Sequence, residues 1–209
     1  MRPILIVGGA PRLAVDAIRY LSVRATGTTA RALAARLRPR NLRVDLLLSD
    51  PGVDAAMRFD DREGLEAAVR AWIDQHPDGV LVLSAAINDY RISQVEVVRA
   101  GVTTAVVPGT KISSGADEFV IRLIPAEKLI DRLRSWGLVG PIVGFKFEDA
   151  ATVVESARSL MQRTGAALVG ANSLCGSVHA LVSAAGVEPC HDRNRFLDRL
   201  ADGIVELAK

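Results

Sequence analysis

Aromatic side chains, cysteines and long apolar runs are all scarce in this chain, and each shortage excludes something. Phe, Trp and Tyr make up 4% of the 209 residues, which leaves the core to Leu, Val, Ile and Ala. Cys175 and Cys190 are the only cysteines, too few for a disulfide framework. His76, His179 and His191 show no metal-ligand spacing with one another or with the cysteines, so no dedicated zinc site is expected. The first apolar run, Ile4 to Val7, is far too short for a membrane span or a signal-peptide core, and a cytoplasmic protein without membrane association is the expectation. A net charge of +2 does not by itself point to nucleic acid. Arginines crowd the stretch from Arg12 to Arg43; the excess could serve an anionic ligand, although Arg36 to Arg43 read as a solvated face. The dinucleotide pattern G-x-G-x-x-G, the Walker loop and an S…Y-x-x-x-K set are also missing, which sets aside a nicotinamide-dependent reductase.

What is present is an alternation of strand and helix signals over one domain, residues 1–209. Buried strands are expected at Ile4 to Val7, Arg43 to Leu48, Val80 to Ser84, Ile142 to Phe145 and Ala167 to Gly170. Leu65, Val69, Trp72 and Ile73 share one helical face, and His76-Pro77-Asp78-Gly79 stops that helix. Pro125 is expected to open a helix ending at Gly137, and Asp149 to cap one ending at Gly165. A strand at His179 to Ser183 and a last helix carrying Phe196, Leu200 and Ile204 follow. This order predicts an α/β fold, an open and mostly parallel sheet with helices on both faces. Residues 93–124 break the alternation, and read as a flap over the cleft or an arm that pairs with a second subunit.

The expected ligand cleft lies where the third strand runs out, in VLVLSAAINDYR. Ser84 to Ala86 are short enough for backbone to approach a ligand, while Asn88 and Asp89 supply an amide and a carboxylate. The plainer alternative is an ordinary strand end with an Asn-Asp turn. The first strand ends at Gly8-Gly9, and after a polar loop of roughly fifteen residues Thr26-Gly27-Thr28-Thr29 introduces a helix. Free N–H groups at such a start suit a phosphate, although Thr and Gly are also common caps.

Gly8-Gly9 with IRYLSVRATG, SAAINDY, KISSG followed by EFVIRLIP, VGFKFE and ANSL, in that order, resemble the phosphopantothenoylcysteine synthetase family. The KISSG and GFKFE forms look closer to its eukaryotic-type members. The resemblance implies a Rossmann-like homodimer that uses Mg2+ and CTP or ATP. It would activate the carboxylate of 4′-phosphopantothenate as an acyl-nucleotidylate, which the amine of cysteine then attacks. It also implies roles. Gly8, Gly9 and Ala86 would lie along the nucleotide, Asp89 near nucleotide and metal, Phe145 near the base, Arg163 facing phosphates and Asn172 at the fifth strand's end. Arg24, Thr26, Gly27 and Thr28 would take substrate or phosphate, and Lys111 on the flap would stabilise charge during activation.

The chain departs from the family where N-x-S-S-G is usual, because Val23-Arg24-Ala25-Thr26-Gly27 puts a valine in place of the asparagine. Valine offers no hydrogen bond, and losing one donor aimed at developing charge costs about 10²- to 10³-fold in rate. Two readings follow: a ligase in which Asn88 partly replaces the lost amide, or a non-catalytic member that binds nucleotide or phosphopantothenate.

Overall fold

The structure, a computed structural model, describes residues 1–49 and 57–209. Along the chain lie β1 (Ile4–Gly8), β2 (Leu13–Ala14), β3 (Tyr20–Leu21), α1 (Thr28–Leu37), β4 (Val44–Leu48), β5 (Met57–Arg58), α2 (Arg62–Gln75), β6 (Val80–Leu83), β7 (Tyr90–Arg99), β8 (Val102–Ala105), β9 (Glu118–Pro125), α3 (Leu129–Arg132), β10 (Ile142–Glu148), α4 (Val153–Thr164), β11 (Leu168–Ser173), β12 (His179–Ser183), β13 (Gly186–Cys190) and α5 (Arg193–Ala208). Near-continuous apolar runs make strands that are buried on both faces, which is what a parallel sheet between helices requires. The main sheet runs β13-β12-β11-β10-β6-β1-β4-β5, parallel from β11 to β5 and antiparallel at β12 and β13.

Strand alternation divides the core in two. Leu5, Val7, Leu81 and Leu83 pack with Leu65, Val69, Leu133 and Ala157 from the α2, α3 and α4 side. Ile4, Ile6, Val80 and Val82 pack the other way, with Leu33, Leu37, Phe196 and Leu200 of α1 and α5. The α/β expectation, a mostly parallel Rossmann-like sheet covered on both faces, therefore holds. Arg36 and Arg40 pair with Asp198 and Asp202, so part of the supposed solvated face anchors α1 and the turn after it to α5.

Three local expectations need correction. Pro125 ends β9 rather than opening a helix, and the helix that follows is only Leu129–Arg132. Trp136 lies beyond it, with the guanidinium groups of Arg70 and Arg132 over its ring. Thr152, not Asp149, stands at the N-cap of α4; Asp149 accepts from Thr152 and Val153 through its backbone carbonyl. Finally, β10 runs on to Glu148 and β11 to Ser173, because the backbone ladder between them continues past the apolar runs, where Lys146, Glu148, Asn172 and Ser173 interrupt the apolar signal.

The excursion expected at residues 93–124 is a separate antiparallel sheet of β8, β7 and β9, starting at Tyr90 and ending at Pro125. Its own small core is Val15, Val95 and Ile112, so the loop after β1 packs under the arm. Among the described residues, no helix is long and apolar enough to cross a membrane.

Candidate functional site

The site begins where β1 meets α1. An ideal Cβ on Gly8 would stand 2.4 Å from the Cβ of Ala30, so only glycine lets the helix start press against the strand end. Gly27, at φ 75°, turns the chain into α1 and leaves that start without a side-chain cap. The first N–H groups of α1 are therefore free to receive an anion. Around them, Thr26 and Thr28 share a hydrogen bond of 2.6 Å, and Arg24 is exposed.

The end of β6 runs alongside. Ser84 donates to the Val7 carbonyl through both N–H and Oγ, and the Ala86 N–H donates to the Gly9 carbonyl at 2.9 Å. Gly8, Gly9, Gly27 and Ala86 thus gather at one edge. Beyond Ala86 the Asn88 Oδ1 accepts the Tyr90 N–H at 3.0 Å, making the Asn-Asp turn that the sequence allowed. Asp89 pairs with Lys128 at 2.8 Å, and its carbonyl accepts from Ala126. Small residues, a turn and a paired carboxylate here border a cavity of about 340 Å³ at the carboxyl ends of β6 and β10.

Phe145, Lys146 and Glu148 of β10 also line this cavity, as do Val23 and Arg163. Phe145 is half-buried over Gly170, where an ideal Cβ would lie 3.1 Å from its ring. Lys146 and Glu148 pair at 2.8 Å, which shows that they meet one another in the cleft. Hydrogen bonds from Lys146 and Ser156 hold the Glu148 carboxyl below its usual value. Arg163 pairs with Asp131.

The expected phosphate-side residues Gly8, Gly9, Arg24, Thr26, Gly27 and Thr28 lie at the β1–α1 junction rather than in the cavity lining, and Asn172 and Lys111 lie outside it as well. Asn172 is buried at the end of β11, its Oδ1 2.7 Å from the His179 Nδ1. Lys111 is exposed on the loop between β8 and β9, which is tied to the loop after β1: Ile112 N–H donates to Asp16 at 3.0 Å, and Ala17 N–H to the Thr110 carbonyl. Asp16 also takes N–H bonds from Ile18 and Arg19 and pairs with the Arg19 guanidinium. Burial pushes that carboxyl up, but these donors outweigh it and bring it down to about 2. Sequence reasoning missed both this clamp and Lys128; only the amide and carboxylate flanking the turn at Asn88 hinted at a polar partner. Among the described residues, no group of three or more His, Cys, Asp or Glu gathers to hold a metal.

Comparison with known proteins adds the family. The chain is 29% identical over 178 residues to the coenzyme A biosynthesis bifunctional protein CoaBC of Thermococcus kodakarensis, covering 82% of this chain. It spans only 41% of that relative's length. A DNA/pantothenate metabolism flavoprotein from Streptococcus pneumoniae superposes with a TM-score of 0.78 over 99% of this chain and 97% of its own, at 18% identity. A mutant of Cab2 in complex with phosphopantothenate-cysteine gives 0.78 over 98% and 85% of the two chains, at 14% identity. At such identities these two likenesses speak for the fold. Residues 1–186 match the profile of the DNA/pantothenate metabolism flavoprotein C-terminal domain. The motif resemblance to the phosphopantothenoylcysteine synthetases therefore holds, and the chain belongs to the DNA/pantothenate metabolism flavoprotein C-terminal domain family.

Proposed function

We propose that this domain is a phosphopantothenate–cysteine ligase of coenzyme A biosynthesis. The observation that carries the reading is the meeting of Gly8, Gly9 and the uncapped α1 start with Ala86 at the mouth of the Asn88–Asp89 cleft. Family membership and a similar fold holding phosphopantothenate-cysteine support it. In this reading a carboxylate oxygen of 4′-phosphopantothenate attacks the α-phosphorus of CTP or ATP and pyrophosphate leaves. The amine of cysteine then displaces the nucleoside monophosphate from the acyl carbon, and the proton it sheds in becoming an amide passes to water. The protein's share is positioning, charge neutralisation and exclusion of water.

Gly8, Gly9, Ala86 and Phe145 take the nucleotide, with Arg163 and Asn172 flanking it. Arg24, Thr26, Gly27 and Thr28 receive phosphate. The exposed carboxylate of Asp89 fits Mg2+, which keeps several waters and draws its other ligands from phosphate oxygens. Bound there, the ion would neutralise triphosphate charge, and Lys128 would give up its present partner. Lys111 approaches the phosphates from the arm, its own or that of a second copy in a homodimer, in the cytoplasm. Pyrophosphate release with CTP and with ATP, each with and without 4′-phosphopantothenate, tests the assignment. Release that needs the acid supports it; saturable binding without release, under either nucleotide, refutes it in favour of a binding-only member.

A further inference from the structure

The polar side chains that line the cleft are committed almost without exception. Lys128 bonds Asp89, Lys146 bonds Glu148, Arg163 bonds Asp131, Arg62 bonds Glu66, and Ser84 donates to the Val7 carbonyl. Asn88 differs. Its Oδ1 accepts the Tyr90 N–H, and since a backbone N–H needs an acceptor, this settles which end of the amide faces the chain. The other end, Nδ2 with two N–H donors, has no acceptor among the described residues. The side chain is half-buried, and its cavity neighbours Ala85, Ala86, Ile87 and Val23 offer no side-chain polar group at all. A neutral donor, oriented by its own turn and left without a protein acceptor at the edge of the cavity, is placed to meet an acceptor brought by a ligand.

We infer that the Asn88 amide is a catalytic residue that donates to the reacting carboxyl group of the acid substrate. This inference rests on the ligase reading above. In the first step one carboxylate oxygen bonds to phosphorus while the Asn88 N–H holds the other. In the second, the carbonyl oxygen gains charge as the amine adds, the same N–H stabilises it, and the charge returns as the nucleoside monophosphate departs. Val23, exposed at 40%, leaves the oxygen without a competing side-chain donor from its own place in the cavity lining.

Asn88→Asp keeps an acceptor for the Tyr90 N–H, and with it the turn, but removes the donor; Asn88→Ala removes both without adding charge. Acid-dependent pyrophosphate release should fall about 10²- to 10³-fold in kcat in both variants, with KM for the nucleotide unchanged. Adding Val23→Asn to Asn88→Ala should return part of the rate, because it restores a donor to the same cavity. Wild-type kcat in either variant overturns the inference. So does a loss confined to Asn88→Asp, which would mark charge repulsion, and so does a loss seen only as raised KM for both substrates without rescue. Active wild type with undiminished variants removes only the Asn88 assignment. An inactive wild type with both nucleotides removes the ligase reading, and this inference with it.

Discussion

Substituting Gly8 by alanine tests the physical basis of the site, because the position is defined by an interatomic distance. The added Cβ would lie 2.4 Å from the Ala30 Cβ and 3.0 Å from the Leu48 Cδ2. Carbon atoms rest about 3.5–4.0 Å apart, so α1 has to retreat by more than about 1 Å or the strand end has to bend. Overpacking of this kind costs about 1–3 kcal/mol. For a chain of this size each kcal/mol lowers Tm by about 2–4 °C, so a fall of about 2–12 °C is expected by calorimetry. Nucleotide binding should weaken more than stability does, because the displaced part is the free N–H row of α1 beside Gly27. Ala30→Gly removes the opposing methyl but costs about 1 kcal/mol as a glycine within a helix. Combined with Gly8→Ala it should therefore destabilise less than the sum of the two single changes. A Gly8→Ala variant with wild-type Tm and wild-type nucleotide affinity would refute the reasoning, as would strict additivity in the double variant.

The Asp16 carboxyl, brought down to about 2, should hold the Lys111 loop in place above pH 4 and release it as the pH falls through about 2. The protection factor of the Ile112 amide, taken against its intrinsic rate at each pH, should then drop as the pH falls towards 2, and Asp16→Ala should show that low protection already at pH 7; protection that ignores both changes contradicts the clamp. Cys175 is exposed, and hydrogen bonds from Ser177 and then Ser173 lower its thiol to about 7, so alkylation should reach half its maximal rate near there. Ser177→Ala should move that midpoint upward, while Cys190, buried and pushed up by burial, stays slow. Asp192 caps α5 by accepting from the Arg195 N–H at 2.7 Å, and Asp192→Ala should lower stability by about 0.5–2 kcal/mol in denaturant titration; an unchanged midpoint would show that the cap contributes nothing.

The cleft was legible wherever its chemistry sits on a strand end. Small residues after an apolar run marked Ser84 to Ala86, and the glycines at 8, 9 and 27 marked a close approach, because both signals are local. The partners were not legible. Asp89 finds Lys128 at 39 residues' remove, and Ile112 finds Asp16 across 96. Nothing in the spacing of such pairs foretells them, since an ion pair or a buried carboxylate depends on which segments a sheet brings alongside. Pro125 misled for a related reason: proline suits a helix start and also the end of an edge strand, and the pairing of Tyr90 with Pro125 decides between them.

Composition and periodicity alone determined the parallel sheet, its two helical covers and the glycine junction of strand and helix. These follow from burial of apolar runs and from backbone sterics, which act over a few residues. Tertiary structure decided the rest: the arm as a sheet with its own core, the Asp16 clamp beneath Lys111, the salt bridge at Asp89, and the sharing of one cavity by Val23 and Asn88. Those arrangements join groups far apart in the chain, and only the packing of whole elements sets the distances between them.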